Sequence, residues 1–241
     1  MIRQRSMTLA LFCAVAFSST LAQAHYLWLE PGEGDVKLFY GEVEEGVREK
    51  TPGKLDTIRH PQVTVLTGNE ALNAAAVKLP DHFAVSTNGR QPTVLVKVEA
   101  TEVRDLSKYG LEIAKTNYYA RVGQIAAPVT ADGAWLAVDI APQGENAFSI
   151  LYQGKPVPRA KVQVIAPNTW VQEHTSDQRG QVKINTPWQG RYVIHVLHVD
   201  KTPGEHEGMQ YQSLRNHFTY SLFVENGLPA GPAIPPQLPA E

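Results

Sequence analysis

Short runs of alternating or wholly apolar residues recur along the chain and are parted by Gly, Pro, Asn and Asp. Examples are Val36 to Tyr40, Val63 to Thr67, Thr93 to Glu99, Trp135 to Ile140, Ala147 to Tyr152, Lys161 to Ala166, Gln181 to Asn185, Arg191 to Val199 and His217 to Val224. A period of two, in runs this short and bounded by turn residues, predicts strands. Only Asp105 to Ala114 hints at a helical turn. The fold class expected is therefore all-β, with sandwiches favoured over a doubly wound sheet.

The runs fall into two groups on either side of Ala141-Pro142-Gln143-Gly144. Residues 25–140 are expected to form an N-terminal β-rich domain, with Pro80 to Pro92 as a mobile insertion. Residues 145–226 carry about seven strands in about 80 residues, the count of an immunoglobulin-like or prealbumin-like sandwich. The last segment, 227–241, is Pro-rich and is expected to be a disordered tail, because proline cannot donate to a ladder.

The start of the chain reads differently. Two arginines lie within Met1 to Arg5, an uncharged apolar run covers Met7 to Leu21, and Ala22-Gln23-Ala24 is a small-x-small cleavage site. Residues 1–24 are thus read as a secretory signal peptide. The run is shorter than the roughly 20 apolar residues of a membrane span and is broken by Ser18, Ser19 and Thr20, so no span is expected after cleavage. Cys13, the one cysteine, would leave with this segment, which removes disulfides and thiolate metal sites from the exported protein. Cleavage after Ala24 would make His25 the amino terminus. A free α-amine and the Nδ1 of the same histidine can close a six-membered chelate ring on a transition ion, which an internal histidine cannot do.

Composition narrows the function. Lys plus Arg number 22 against 24 Asp plus Glu, with no basic cluster, which argues against a nucleic-acid partner. GxGxxG, P-loop and GxSxG motifs are missing, so nucleotide binding and α/β-hydrolase chemistry have no support.

The segments HYLWLEP, LFYGEVEEGVRE, TNYYARVG, ILYQGKPVPRAKVQV and HFTYSLFV together resemble a bacterial periplasmic family of unknown function. That family is grouped with the substrate-specific periplasmic component of nickel and cobalt uptake systems. The resemblance implies a periplasmic β-sandwich protein that handles a divalent metal and has no established reaction, with a membrane metal transporter as a possible partner.

Eight histidines supply the candidate ligands. His25 leads for the chelate. His198 and His217 follow, because sequential strands joined by about 15 residues usually pair, which brings the end of one beside the start of the next. His195, three residues before His198, points to the opposite strand face, so both cannot hold one ion without a bulge. His206 and the acidic residues of the intervening loop are read as solvated. Glu42, Glu44, Glu45 and Glu49 lack calcium-hand spacing and are read as a solvated strand and turn, with Glu30 a possible acceptor behind His25. The metal set expected is His25, His198 and His217, holding nickel, cobalt or copper, with binding weakening below about pH 6 as imidazoles protonate.

Two rival readings accompany this non-enzymatic one. An interaction module for a protein or cell-envelope glycan would use Trp28, Trp135, Trp170 and Trp188 as a platform. A copper oxidase would use His25 in a histidine brace resembling that of lytic polysaccharide monooxygenases, with Phe218 or Tyr220 as the axial ring.

Overall fold

The computed structural model describes residues 25–68, 70–87, 92–127, 129–130, 133–232 and 235–237; the expected signal peptide lies outside them. The regular structure of the described chain is nearly all strand, with single 3-10 turns at Lys54–Thr57 and Ser107–Tyr109. Among the described residues no helix is long and apolar enough to cross a membrane.

A nine-stranded sheet forms the middle of the molecule. Its order is Val171–Thr175, Lys161–Ile165, Gly190–Asp200, Ser213–Val224, Ile113–Val122, Thr93–Val98, Gln62–Thr67 and Glu70–Ala74, with Val103–Asp105 paired beside Ile113–Val122. The ladders are antiparallel except where Ile113–Val122 runs parallel to Ser213–Val224. That parallel ladder joins strands from the two expected domains into one sheet. One face of it packs on a second sheet made of Tyr26–Pro31, Asp35–Glu42, Phe83–Ser86 and Ala76–Lys78, around Leu27, Leu38, Val85, Val94, Val96 and Ala120. The other face packs on Val138–Pro142, Ala147–Tyr152 and their partners, around Leu95, Tyr119, Ile140, Ile150, Ile194 and Phe218.

Period two accounts for both cores. On Ile113–Val122, Ala120 faces the first core and Tyr119 the second; on Thr93–Val98, Val94 and Val96 face the first and Leu95 the second. A strand covered on both sides needs apolar residues at successive positions, and Thr93–Val98 (TVLVKV) has them.

Three expected segments meet the described residues as follows; residues 88–91 of the Pro80 to Pro92 segment and 233–234 and 238–241 of the tail lie outside them. The boundary expected at 141–144 falls on the end of the Val138–Pro142 strand, which belongs to the second core. Within Pro80 to Pro92, Phe83–Ser86 is a paired strand with Phe83 and Val85 buried, not an insertion apart from the sheets. In the Pro-rich tail, Leu228 exchanges backbone hydrogen bonds with Pro187 and Gln189, and Gln237 donates to the Gly46 carbonyl. Proline lacks a donor, but the residues between prolines do not.

The third layer is tied to the middle sheet by a buried ion pair. Arg121, fully buried, places Nη1 2.7 and 2.8 Å from the two oxygens of Asp139. Removing one member of such a pair leaves the other charge in a low-dielectric interior. Asp139→Ala is expected to lower stability by about 3–5 kcal/mol, read as a fall in the urea midpoint, and Arg121→Met/Asp139→Leu to recover most of that loss.

Candidate functional site

The site begins with strand register. Tyr26 pairs with Gly41, which sets His25 opposite Glu42 one step further on. The chain then turns at Val43 to Gly46 and returns as Val47–Arg48 against Gly41 and Glu42. Gly41 permits that return: a Cβ there would lie 2.1 Å from the Val47 carbonyl oxygen. The Glu49 amide then bonds the Tyr40 carbonyl at 2.9 Å, bringing its carboxylate to the other side of His25.

His25 thus lies between two carboxylates. Its Nδ1 is 3.0 Å from Glu42 Oε1, and its Nε2 bonds Glu49 Oε1. Lys54 Nζ reaches the same Glu49 oxygen at 3.2 Å. Both glutamates are buried. Burial holds the Glu42 carboxyl above its ordinary range, and the charges of Glu44 and Glu45 add to this, while His25 and Lys54 oppose it. A buried acid crowded by others is a place where added positive charge is welcome.

His25 also lines a cavity of about 720 Å³ between the first and middle sheets. Its ring lies 5.4 Å from that of Tyr40, whose hydroxyl is 3.1 Å from the Tyr118 hydroxyl. Tyr118 in turn lies 5.6 Å from the ring of His217, which also lines the cavity. Two tyrosines therefore stand between the two histidines.

Behind His217 is His195, not His198. Leu197 is directly opposite His217, and His198 is opposite Asn216. Paired residues share a face, so this one-residue offset puts His198 on the far side of the sheet, its ring tilted against that of Tyr152 at 4.2 Å. His195 shares the His217 face: His195 Nε2 is 3.1 Å from His217 Nδ1, and Tyr26 stacks on His195 at 4.4 Å. His195 Nδ1 donates to Gln163 Oε1 at 3.3 Å, which leaves Nε2 to accept from His217 Nδ1 and leaves His217 Nε2 with its lone pair.

The remaining expected residues are scattered. Glu30 accepts hydrogen bonds from Trp28 and Arg48, lies in ion-pair range of Arg191 and does not reach His25. Phe218 and Tyr220 lie in the second core, on the face opposite His217 and away from the cavity. Of the four tryptophans, Trp28 is buried, Trp135 lies under Lys97, and Trp170 and Trp188 meet edge to face. Sequence reading gave too little weight to Glu42 and Glu49 as partners of His25, and it set His195 aside. The register counted back from the Gly32 to Gly34 turn would have matched Glu42 with His25. Among the described residues no group of three or more His, Cys, Asp or Glu is disposed to enclose a metal ion, so a further donor would have to come from elsewhere.

Residues 22–200 match the family described as a domain of unknown function, DUF4198. Among curated proteins none matches the chain.

Burial depresses the buried imidazoles, that of His195 to about 4 and that of His217 well below its ordinary 6.5, with the His195 charge adding to the effect on His217. The folded rings stay neutral where unfolded ones take up protons. The unfolded state then binds more protons, so stability falls as pH drops from about 6.5 toward 4 and is level above that window. The slope is up to about 1.4 kcal/mol per pH unit for each ring. Urea unfolding at pH 5 and pH 7 is expected to show this loss, and His195→Gln to flatten it.

Proposed function

We propose, for a chain that belongs to the DUF4198 family of domains of unknown function, that the protein is a periplasmic binding protein for a divalent transition metal and not an enzyme. Nickel, cobalt and copper suit the donors, and His25 is the residue that takes the ion. The observation that carries the reading is the pair of buried carboxylates on the two ring nitrogens of His25.

The donor set fits a metal in a specific way. Removal of residues 1–24 would free the α-amine of His25, which with Nδ1 forms the chelate. Glu42, already beside Nδ1, is the third donor and supplies the oxygen that the expected His198 does not. A cation there takes the place of a proton between imidazole and carboxylate. Glu49 accepts from Nε2–H and so keeps the lone pair on Nδ1, the usual task of a carboxylate behind a ligating histidine. Lys54 holds Glu49 in turn. His217 contributes a neutral imidazole to the wall of the same cavity. Transfer of the ion to a membrane transporter is the role suggested by the resemblance to nickel and cobalt uptake components.

A second reading, a docking module for a protein or glycan, draws on one corner of the molecule. There Trp170, 52% exposed, meets Trp188 at 5.3 Å. Binding that persists under strong chelation would favour it.

Calorimetry with Ni(II) and Cu(II) on protein beginning at His25 tests the first reading. Glu42→Gln and Glu49→Gln are each expected to weaken binding about 10–100-fold, and one extra residue ahead of His25 to abolish the tight phase. If affinity is untouched by all three changes, the ion does not sit at His25.

A further inference from the structure

The cavity that His25 lines has an unbalanced wall. Lys54, Arg59, Arg104, Lys108 and Arg215 face it, against a single carboxylate, Glu102. Glu102 is bound to Arg59 at 2.8 Å, and Lys54 is bound to Glu49. Among the described residues neither Arg104 nor Arg215 forms an ion pair. A protein whose net charge is only -2 has gathered five cations against one carboxylate along one concave surface.

Register explains how they meet. Arg104 is opposite Ala114, Arg215 is opposite Thr116, and His217 is opposite Tyr118, three alternate positions of Ile113–Val122. Alternate residues of a strand share a face, and directly paired residues share it too. Arg104 and Arg215 therefore rise on the cavity face from the two strands that flank Ile113–Val122. Both guanidinium charges act on the Tyr118 phenol, and Arg104 acts on that of Tyr40 as well. Arg215 is half-buried, and burial lowers its pKa even though the charge of Glu112 opposes the shift; that carboxylate is already bonded to Lys201 and forms no ion pair with Arg215.

We infer that this cavity binds a small polycarboxylate anion through Arg104 and Arg215. Guanidinium forks match carboxylates in a bidentate manner. Strands that flank a third are about 10 Å apart at the backbone, a spacing that suits an anion with separated carboxylates better than one compact oxyanion. The volume is ample for such a ligand.

The position of His25 on the same wall gives the anion a second use. This step rests on the metal reading above; anion binding itself does not. The amine, Nδ1 and Glu42 leave coordination positions open on a late first-row ion. A polycarboxylate anchored by the arginines can fill them, so that the substrate is the ion as an anionic chelate.

Calorimetry of metal-free protein with citrate as probe tests the inference. Citrate is expected to saturate one site, and acetate and inorganic phosphate to bind at least tenfold more weakly. Arg104→Gln, at an exposed position, should weaken citrate at least fivefold, and Arg104→Gln/Arg215→Gln at least twentyfold, with circular dichroism confirming the fold. Absence of citrate binding, phosphate binding as tight as citrate, or an Arg104→Gln protein that binds like wild type overturns the assignment. Citrate binding without any affinity for Ni(II) or Cu(II) keeps the anion site and removes the ion from His25. Ion binding without citrate binding does the reverse.

Discussion

The first strand lies against the polar face of the last, and the candidate site exists only because of that contact. Tyr26–Pro31 is the edge strand of its sheet, so carbonyls on its free side have no ladder partner. Thr219 answers one of them: its fully buried hydroxyl donates to the Leu27 carbonyl at 2.7 Å. An unmet buried carbonyl costs about 1–3 kcal/mol, so a threonine facing this edge does what an apolar residue could not. The same docking sets Tyr26 on His195 and brings His25 to the rim of the cavity that His217 lines. Residues nearly two hundred positions apart in the chain thereby share one wall.

Burial of polar groups along this seam is what keeps the cavity chemically competent. Ser213, His217, Thr219 and Ser221 alternate on one face of Ser213–Val224 and are all buried. Hydrophobic residues there would close the two sheets together. Polar ones need hydrogen-bond partners, which Thr219 finds at the Leu27 carbonyl and His217 in the Gln163, His195, His217 series, whose bonds run in a single direction. The direction fixes the tautomer of a ring at the cavity wall, and burial keeps that ring neutral through the pH range in which a free histidine would titrate.

Much of the fold was legible in the residues, and the failures share a cause. Ala147–Tyr152 has the bounds that its alternation predicts, and Gly190–Asp200 and Ser213–Val224 pair as adjacent strands should. Ile113–Val122 was overlooked as a strand, although it is the hub of the middle sheet, because Lys115, Asn117 and Arg121 break its apolar pattern. Those residues are buried in polar company: Lys115 on Asn117, Asn117 on Asn216, Arg121 on Asp139. A pattern rule reads polar as exposed, and it fails where a polar seam is internal. The choice of His198 over His195 was a register error of one residue, which strand pairing magnifies into the wrong face of a sheet. The expected partnership of His25 with the end of the chain rested on a long-range contact that alternation does not encode. The sandwich sets His25 and His217 on the wall of one cavity with Tyr40 and Tyr118 between them, and leaves His198 on the other face.

Charge is the property that composition conceals most completely. Acids and bases nearly balance over the chain, yet the fold separates them around His25. Glu42 and Glu49 flank its ring, while Arg104 and Arg215 line the cavity beyond it. In water such groups would be screened within about 10 Å. Glu42 and Glu49 are buried and Arg215 half-buried, so their charges are screened less than that of the exposed Arg104. A bare cation is drawn to the carboxylates and repelled by the arginines; a bare anion meets the opposite pair of forces. A species that carries positive charge at one end and carboxylates at the other is attracted at both. The separation of charge is thus itself a selection rule, and it arises from strand register, which places Glu42, Arg104 and Arg215, together with the turn that returns Glu49 to His25.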